Sequence, residues 1–269
     1  MNQKIFSAPY LLWMLLFTII PLGLVVFFAF TDSNGAFTLE NISKVGDYAS
    51  TLFKSVWLAA VSTVICLLIS YPFAYIISRK KDHQKRIMVM LVMLPMWMNF
   101  LLRTYAWMTL LEKNGLINKF FGLFGLGPFE MINTQGAVVL GMVYNYIPFM
   151  ILPLYSVMLK IDPRVVEAAQ DLGATPSQVL MKVLLPLSWP GISTGITMVF
   201  VPAVSTFIIS RMLGGGANLL IGDLIDLQFV GNSYNPNLGA AISLVLMVIM
   251  LLCMSIFNQF EENEEAALL

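Results

Sequence analysis

The sequence lacks the groups on which most soluble enzymes depend. Its 269 residues include one histidine and two cysteines, and charged residues make up only 11% of the chain. No G-x-x-x-x-G-K-[ST] phosphate loop occurs, so the chain is not expected to bind or hydrolyse ATP itself. No Ser/His/Asp set, H-E-x-x-H motif or Cys/His cluster with metal-ligand spacing is present either. The sequence therefore predicts a chain that is not an enzyme and holds no metal or cofactor of its own.

Acidic residues are also missing from the interior of the long apolar runs. Every Asp and Glu lies in a polar stretch, in the C-terminal tail or at the end of a run. Ion-coupled secondary transporters commonly place a carboxylate at mid-membrane depth to bind the coupling ion. Such a transporter is an alternative function that this absence disfavours. The ionisable residue well inside a run is Arg103, which we expect to be paired or to face a partner subunit.

Hydrophobic residues make up 58% of the chain and predict an all-α, polytopic membrane protein. Six runs are long enough to cross a bilayer, at about 9–30, 55–78, 87–111, 136–159, 187–211 and 239–260. The first is too long for a signal peptide and has no small-residue cleavage site, so we expect it to remain in the mature chain. The predicted organisation is a first span with an outer loop (1–50), a core (51–260) that contains a polar loop (160–186), and an acidic tail (261–269).

Lysine and arginine are distributed unevenly between the segments that connect these runs. Nine lie in alternate segments that include the N-terminus: Lys4, Arg79, Lys80, Lys81, Lys85, Arg86, Lys160, Arg164 and Lys182. Five lie in the intervening segments: Lys44, Lys54, Lys113, Lys119 and Arg211. Cytoplasmic loops carry the excess of positive charge. We therefore predict that both termini and the loop 160–186 are cytoplasmic, in a cell membrane.

The polar loop 160–186 carries local signals for two helices joined by a tight turn. Asp162-Pro163 is typical of an N-cap followed by proline at the first helical position. Gly173 is typical of the left-handed residue that ends a helix. Thr175 and Gln178 are spaced as a capping box for a second helix. An amphipathic connector of this kind is common, so these signals alone do not assign a function.

The spacing of a few residues in this loop is more specific. Glu167-Ala168-Ala169 is followed by Gly173 and then by Val183-x-Leu185-Pro186. This pattern resembles the loop by which permease subunits of ATP-binding-cassette (ABC) importers dock onto their ATPases, with Val183 in place of the usual isoleucine. The resemblance implies the type I ABC importer permease fold. It also implies that the ATPase-docking residues are Glu167, Ala168, Ala169, Asp171 and Gly173.

Three further segments resemble the B-type permease subunits of spermidine/putrescine importers: Pro95–Arg103, Ala168–Ala174 and Met212–Phe229. The resemblance implies a translocator for polyamines that works with a second permease subunit, two ATPase subunits and an extracytoplasmic solute-binding protein. ATP and Mg²⁺ would then be used by the ATPases. Permeases for other small solutes share much of this pattern, so another solute is an alternative. Nucleic acid is not an expected partner.

A polyamine is an extended polycation, and its path should offer aromatic faces, amides and carboxylates. Candidates in the third and fourth predicted spans are Trp97, Asn99, Tyr144 and Asn145. Asp223 and Asp226 are three residues apart on one helical face, where we expect them to be exposed and to attract cations. Packing, a membrane-interface position or a solvated loop are the alternatives for each of these residues.

Overall fold

The computed structural model describes the backbone of residues 3–231 and 234–268, and the side chains of 9–231 and 234–257 apart from Ala217. The described residues are helical except for loops and one isolated bridge between Thr31 and Phe37. The helices are α1 (Gln3–Met14), α2 (Ile20–Ala29), α3 (Glu40–Lys44), α4 (Ala49–Ser78), α5 (Asp82–Met93), α6 (Phe100–Leu111), α7 (Leu116–Gly122), α8 (Gln135–Met158), α9 (Pro163–Asp171), α10 (Pro176–Val179), α11 (Leu185–Ser205), α12 (Ile208–Leu213), α13 (Ile221–Val230) and α14 (Pro236–Leu268). The predicted all-α class is confirmed.

Five continuous helical segments are long and apolar enough to cross a membrane. They are Pro9–Ala29, Glu40–Ser78, Gln135–Met158, Pro176–Ser205 and Pro236–Phe257. A sixth span is obtained if the bent pair Asp82–Trp97 and Phe100–Gly122 is counted as one. The chain is therefore a multi-pass membrane protein.

The third predicted span, 87–111, is not one straight helix. Its two halves meet at an angle of 89°. The first half ends in a 3₁₀ turn, Leu94–Trp97, that contains Pro95, and Met98 is extended. Asn99 then caps α6 by accepting from the amides of Leu101 and Leu102 at 2.8 and 3.4 Å. The hydropathy of the run does not reveal this break, because apolar residues continue through it. The break depends on Pro95 and on the cap at Asn99.

The fifth span also differs from the predicted 187–211. A continuous helix of 30 residues runs from Pro176 to Ser205, and a separate helix, α12, follows the break at Thr206. A π-helical turn, Leu180–Leu184, joins α10 to α11 just before Pro186. Proline removes one backbone donor, and a π turn is one way in which a helix accommodates that loss. The second helix of the loop 160–186 is thus the N-terminal end of the fifth span.

The core is formed by α4, α8 and α11, which pack on one another over much of their length. Two glycines of α11 allow the close crossing with α8. A Cβ atom at Gly195 would stand 2.6 Å from Met150 Sδ, and one at Gly191 would stand 3.0 Å from the carbonyl oxygen of Pro153. By contrast, α2 packs on α14, and no residue in the most apolar part of the first span is buried. That surface suits lipid or another membrane subunit.

Candidate functional site

The polar loop of residues 160–186, called the docking loop below after its predicted role, begins with a capped helix. The Asp162 carboxylate accepts from the Arg164 amide at 2.9 Å, and Pro163 occupies the first turn of α9. Both features follow from the local sequence, since an aspartate cap satisfies an amide that has no partner within the helix. The predicted start of the first helix is confirmed.

The docking loop turns at Gly173, whose φ is +83°. The Gly173 amide donates to the Gln170 carbonyl at 2.8 Å, and the Ala174 amide donates to the Ala169 carbonyl at 3.0 Å. This pair of bonds is the Schellman motif, which needs a left-handed residue between them. No atom lies within 4 Å of the position that a Cβ at Gly173 would take. The glycine is therefore required by the backbone and leaves an open surface around it.

The second half of the docking loop is held by the predicted capping box. The Thr175 amide donates to Gln178 Oε1 at 2.8 Å, and the Gln178 amide donates to Thr175 Oγ1 at 3.4 Å. Beneath the turn, Ile161, Val179 and Leu184 form a small apolar cluster that anchors both halves to the protein. The docking loop is thus a fixed projection and not an extended connector.

Arg79 connects the base of the docking loop to the end of α4. It donates to the Ile161 carbonyl oxygen at 3.2 Å, and its guanidinium lies 5.4 Å from the centre of the Tyr75 ring. Sequence reasoning treated Arg79 only as part of a cytoplasmic basic segment. Its tertiary contact could not be read from the chain because the two residues are separated by 82 positions.

The predicted docking residues lie mainly on the free surface of this projection. Glu167, Ala168, Asp171 and Gly173 are exposed, whereas Ala169 packs partly against the apolar cluster. Sequence reasoning missed Leu172, which is 90% exposed at the turn. A crevice of about 370 Å³ opens beside the turn and is lined by Ala169, Leu172, Gly173, Ala174, Gln178, Lys182 and Val183. An exposed leucine beside a crevice of mixed polar and apolar lining is a surface that another protein could cover.

On the far side of the core, Asp223 takes a position that the sequence did not predict. The residue is fully buried, and its Oδ2 accepts from Ser210 Oγ at 2.5 Å and from the Leu220 amide at 2.9 Å. Burial raises the pKa of Asp223, while the Leu220 amide, the Ser210 hydroxyl and the Arg211 charge oppose that rise. Asp223 therefore fixes the start of α13 and is not the exposed cation attractor that we expected.

Asp226 is also engaged, although it is less buried. Arg211 Nη2 lies 2.7 Å from Asp226 Oδ2, and Arg211 Nε lies 3.6 Å from Asp223 Oδ1. The two carboxylates do share one side of α13, as the spacing predicted, but a cation of this chain already occupies it. Arg211 was missed as their partner because the glycine-rich segment that brings α12 back onto α13 gives no pairing signal in the sequence.

The helix α13 lies against the C-terminal end of α11. A Cβ atom at Gly222 would stand 2.5 Å from the Ser205 carbonyl oxygen and 2.7 Å from that of Thr206. Only glycine allows the two backbones to approach so closely. The residue that precedes Asp223 is thus in direct contact with the end of the fifth span.

The aromatic and amide candidates do not form one pocket with these carboxylates. Trp97 is 76% exposed, and Asn99 uses its side-chain oxygen to cap α6. Tyr144 packs edge-on against the ring of Trp107 with a centroid distance of 5.4 Å. Asn145 is buried and donates to the Gly141 carbonyl at 2.9 Å, while its Oδ1 has no hydrogen-bond partner among the described residues.

Within the part of the chain that the structure describes, no hydrogen bond, ion pair or ring contact joins these four residues to Asp223 or Asp226. A path through a single chain is therefore not assembled by them.

Comparison with protein families and known proteins places the chain in a clear context. Residues 49–263 match the family model described as binding-protein-dependent transport system inner membrane component. The chain is 37% identical to the spermidine/putrescine transport system permease protein PotB of Haemophilus influenzae, over 95% of this chain and 92% of that protein. It is 34% identical to PotB of Escherichia coli over 91% of this chain and 92% of that protein. It is 30% identical to the inner membrane ABC transporter permease protein YdcU of Escherichia coli, over 88% of this chain and 80% of that protein.

Solved structures agree in fold. A chain of a bacterial ABC transporter that imports the acidic polysaccharide alginate superposes with a TM-score of 0.82 at 15% identity, over 97% of this chain and 94% of that chain. A chain of the MetNI methionine ABC transporter gives a TM-score of 0.58 at 19% identity, over 80% of this chain and 95% of that chain. At these identities the likeness concerns the architecture alone.

Proposed function

The chain belongs to the family of binding-protein-dependent transport system inner membrane components, and from that premise we propose that it is the permease subunit of an ATP-driven importer for polyamines. Spermidine and putrescine are the proposed solutes. The observation that carries the solute is the 34–37% identity to permeases named for these polyamines, over more than 90% of the chain. Because the similarity extends over nearly the whole length, it includes the membrane core as well as the docking loop.

The energy source is proposed to be external to this chain. The docking loop supports this view, since it presents Glu167, Ala168, Asp171 and Gly173 on a fixed projection with an exposed leucine at its tip. We expect this surface to bind an ATPase subunit, which alone binds nucleotide and Mg²⁺. The full importer would contain two such ATPases, a second related permease and an extracytoplasmic polyamine-binding protein. With the docking loop on the ATPase side, both termini are cytoplasmic.

The carboxylates are assigned a different role from the one expected of them. Asp223 and Asp226 hold Arg211 and the start of α13, so we propose that they shape the outer wall of the path and do not attract the solute directly. The solute contacts are then shared with the second permease, which accounts for the separation of Trp97, Asn99 and Asn145 from that pair.

A second candidate is a permease for another small solute. The fold favours no particular solute, because chains from importers of alginate and of methionine share it. The higher identity to the polyamine permeases than to the other curated permease, at 34–37% against 30%, favours polyamines.

The test is uptake by the complete complex in liposomes, with the binding protein outside and ATP inside. Labelled spermidine, putrescine, an acidic sugar oligomer and methionine are supplied in parallel. We expect ATP-dependent uptake of a polyamine and none of the other two solutes. Uptake of a sugar or an amino acid without polyamine uptake would refute the solute and leave the permease role in place. ATP-independent uptake driven by an ion gradient would refute the importer itself.

A further inference from the structure

Arg103 is a buried charge with no counter-charge in the described structure. It is 8% exposed, and its Nε and Nη1 atoms are buried without a hydrogen-bond partner. Its guanidinium lies 5.9 Å from the centre of the Phe100 ring, a contact that offers an aromatic face and no acceptor. None of the ion pairs among the described residues includes it. An unpaired charge is costly in a low-dielectric environment, so this position calls for an anion.

The N-terminus of α6 also favours a negative charge at this position. Side chains of a helix lean towards its N-terminus, so Arg103 is directed back to the turn that Asn99 caps. The N-terminus of a helix carries a partial positive charge, and here it begins at a bend of 89° inside a broken span. A guanidinium and a helix N-terminus therefore face the same region with the same sign of charge.

The region is open on one side. Asn99 and Ala106, which flank Arg103 on the same stripe of α6, are both exposed. Leu102, the neighbouring residue, is 64% exposed. Arg103 thus stands at the edge between the face of α6 that packs on its own chain and a face that no described residue of this chain covers. The small side chain of Ala106 allows another helix to come close at this edge.

The depth of Arg103 argues against a lipid phosphate as the missing anion. Leu111, the last residue of α6, lies eight residues of helix, or about 12 Å, from Arg103, and the polar residues Glu112 and Lys113 follow it. A cationic solute cannot neutralise an arginine either. A carboxylate of a neighbouring membrane subunit has the required negative charge, can lie at the depth of Arg103, and can approach from the exposed edge of α6.

We propose that the second permease subunit supplies a carboxylate, at mid-membrane depth, that pairs with Arg103 at the N-terminus of α6. This inference rests on the proposed function, because it requires that a second permease be present. The pair fixes the bend of the third span against the partner and specifies which permease assembles with this chain. Its charge-assisted geometry favours arginine over lysine.

The test compares the isolated chain with the complex, and the two are expected to respond in opposite directions. Arg103→Met removes an unpaired buried charge from the isolated chain, so its melting temperature in detergent should rise by a few degrees. In the complex the same change leaves the partner carboxylate unpaired, so recovery of the second permease on a tagged chain should fall at least tenfold. Arg103→Lys should retain intermediate recovery. Lys119→Met, a matched change at an exposed cation, should alter neither measurement.

Several results would overturn the pairing. One is a lower melting temperature of the isolated Arg103→Met and Arg103→Gln chains together with normal recovery of the second permease. Another is stabilisation of the parent chain, but not of Arg103→Met, by phosphatidylglycerol, which would identify lipid as the anion. ATP-driven uptake of an anionic solute that depends on Arg103 would assign the anion to the cargo. Recovery and polyamine uptake of the parent complex are measured first, so that failure of the proposed function is separable from failure of this pairing.

Discussion

Replacement of Gly173 by valine tests the docking loop most directly. The glycine has a φ of +83°, and the space around its Cβ position is open. In the isolated chain valine should therefore meet no clash and should cost only the left-handed backbone, about 1–2 kcal/mol. Since 1.4 kcal/mol corresponds to a factor of ten, the population of correctly shaped loop should fall about five- to thirtyfold.

The expected consequence is loss of the ATPase with an intact membrane core. The turn lies at the end of α9, outside the packed face of α4, α8 and α11, so the spans should insert and fold as before. The assay is recovery of the ATPase on the tagged chain, followed by ATP-driven uptake in liposomes. We expect both to fall about tenfold or more, because the added side chain also protrudes beside Leu172 into the proposed interface.

Two variants separate strain from contact. Gly35 has a φ of +79° and equally open surroundings, but it lies in the loop after the first span, on the opposite side of the membrane from the docking loop in the proposed topology. Gly35→Val should carry the same backbone cost and leave the ATPase bound. Gly173→Asn should fall between glycine and valine, because asparagine tolerates the left-handed region. Normal ATPase recovery and uptake with Gly173→Val, or equal losses at Gly35 and Gly173, would refute the docking assignment.

Three other outcomes are expected. Asp223→Asn should destabilise the complex by about 2 kcal/mol, because a buried, hydrogen-bonded carboxylate is lost. Asp226→Asn removes one partner of a part-exposed ion pair and should cost less than about 1 kcal/mol. Thermal melts of both variants measure this order, and an equal or reversed order would contradict the buried role of Asp223. If these carboxylates shape the wall of the path, both variants should lower the maximal rate of polyamine uptake more than they raise the half-saturating concentration. A larger effect on the half-saturating concentration than on the maximal rate would instead indicate that the carboxylates attract the solute directly. In a cysteine-free background, Tyr234→Cys should react with an impermeant thiol reagent from outside and Gln84→Cys should not; the reverse pattern would invert the topology.

Local signals explain why the docking loop could be predicted from the sequence. An N-cap, a left-handed glycine and a capping box act over three to five residues, so the chain itself carries the information. Asp162, Gly173 and Thr175 consequently have the roles that their spacing indicated. Asn232, which lies between the fifth and sixth predicted spans, falls outside the described residues, so Tyr234 is the position chosen for labelling.

Tertiary contacts explain why the rest could not be predicted. The break at Asn99 left a detectable signal, since an asparagine after a proline-containing turn is a cap candidate, but the unbroken hydrophobic run masked it. The burial of Asp223 had no local signal, because it depends on Ser210 and Arg211 arriving from another helix. Arg103 shows the reverse case. Its position as a charged residue inside an apolar run was visible in the sequence, and the described chain provides no counter-charge for it.

The unbroken helix from Pro176 to Ser205 makes the docking loop one end of a lever. Thirty residues of helix span about 45 Å, so a tilt of about 10° about the midpoint displaces each end by about 4 Å in opposite directions. The N-terminal end of this helix forms the second half of the docking loop, and its C-terminal end contacts Gly222, where the two backbones meet without a side chain between them. In the proposed importer, a displacement of the docking loop by an ATPase would therefore reach the start of α13 through the backbone contact at Gly222.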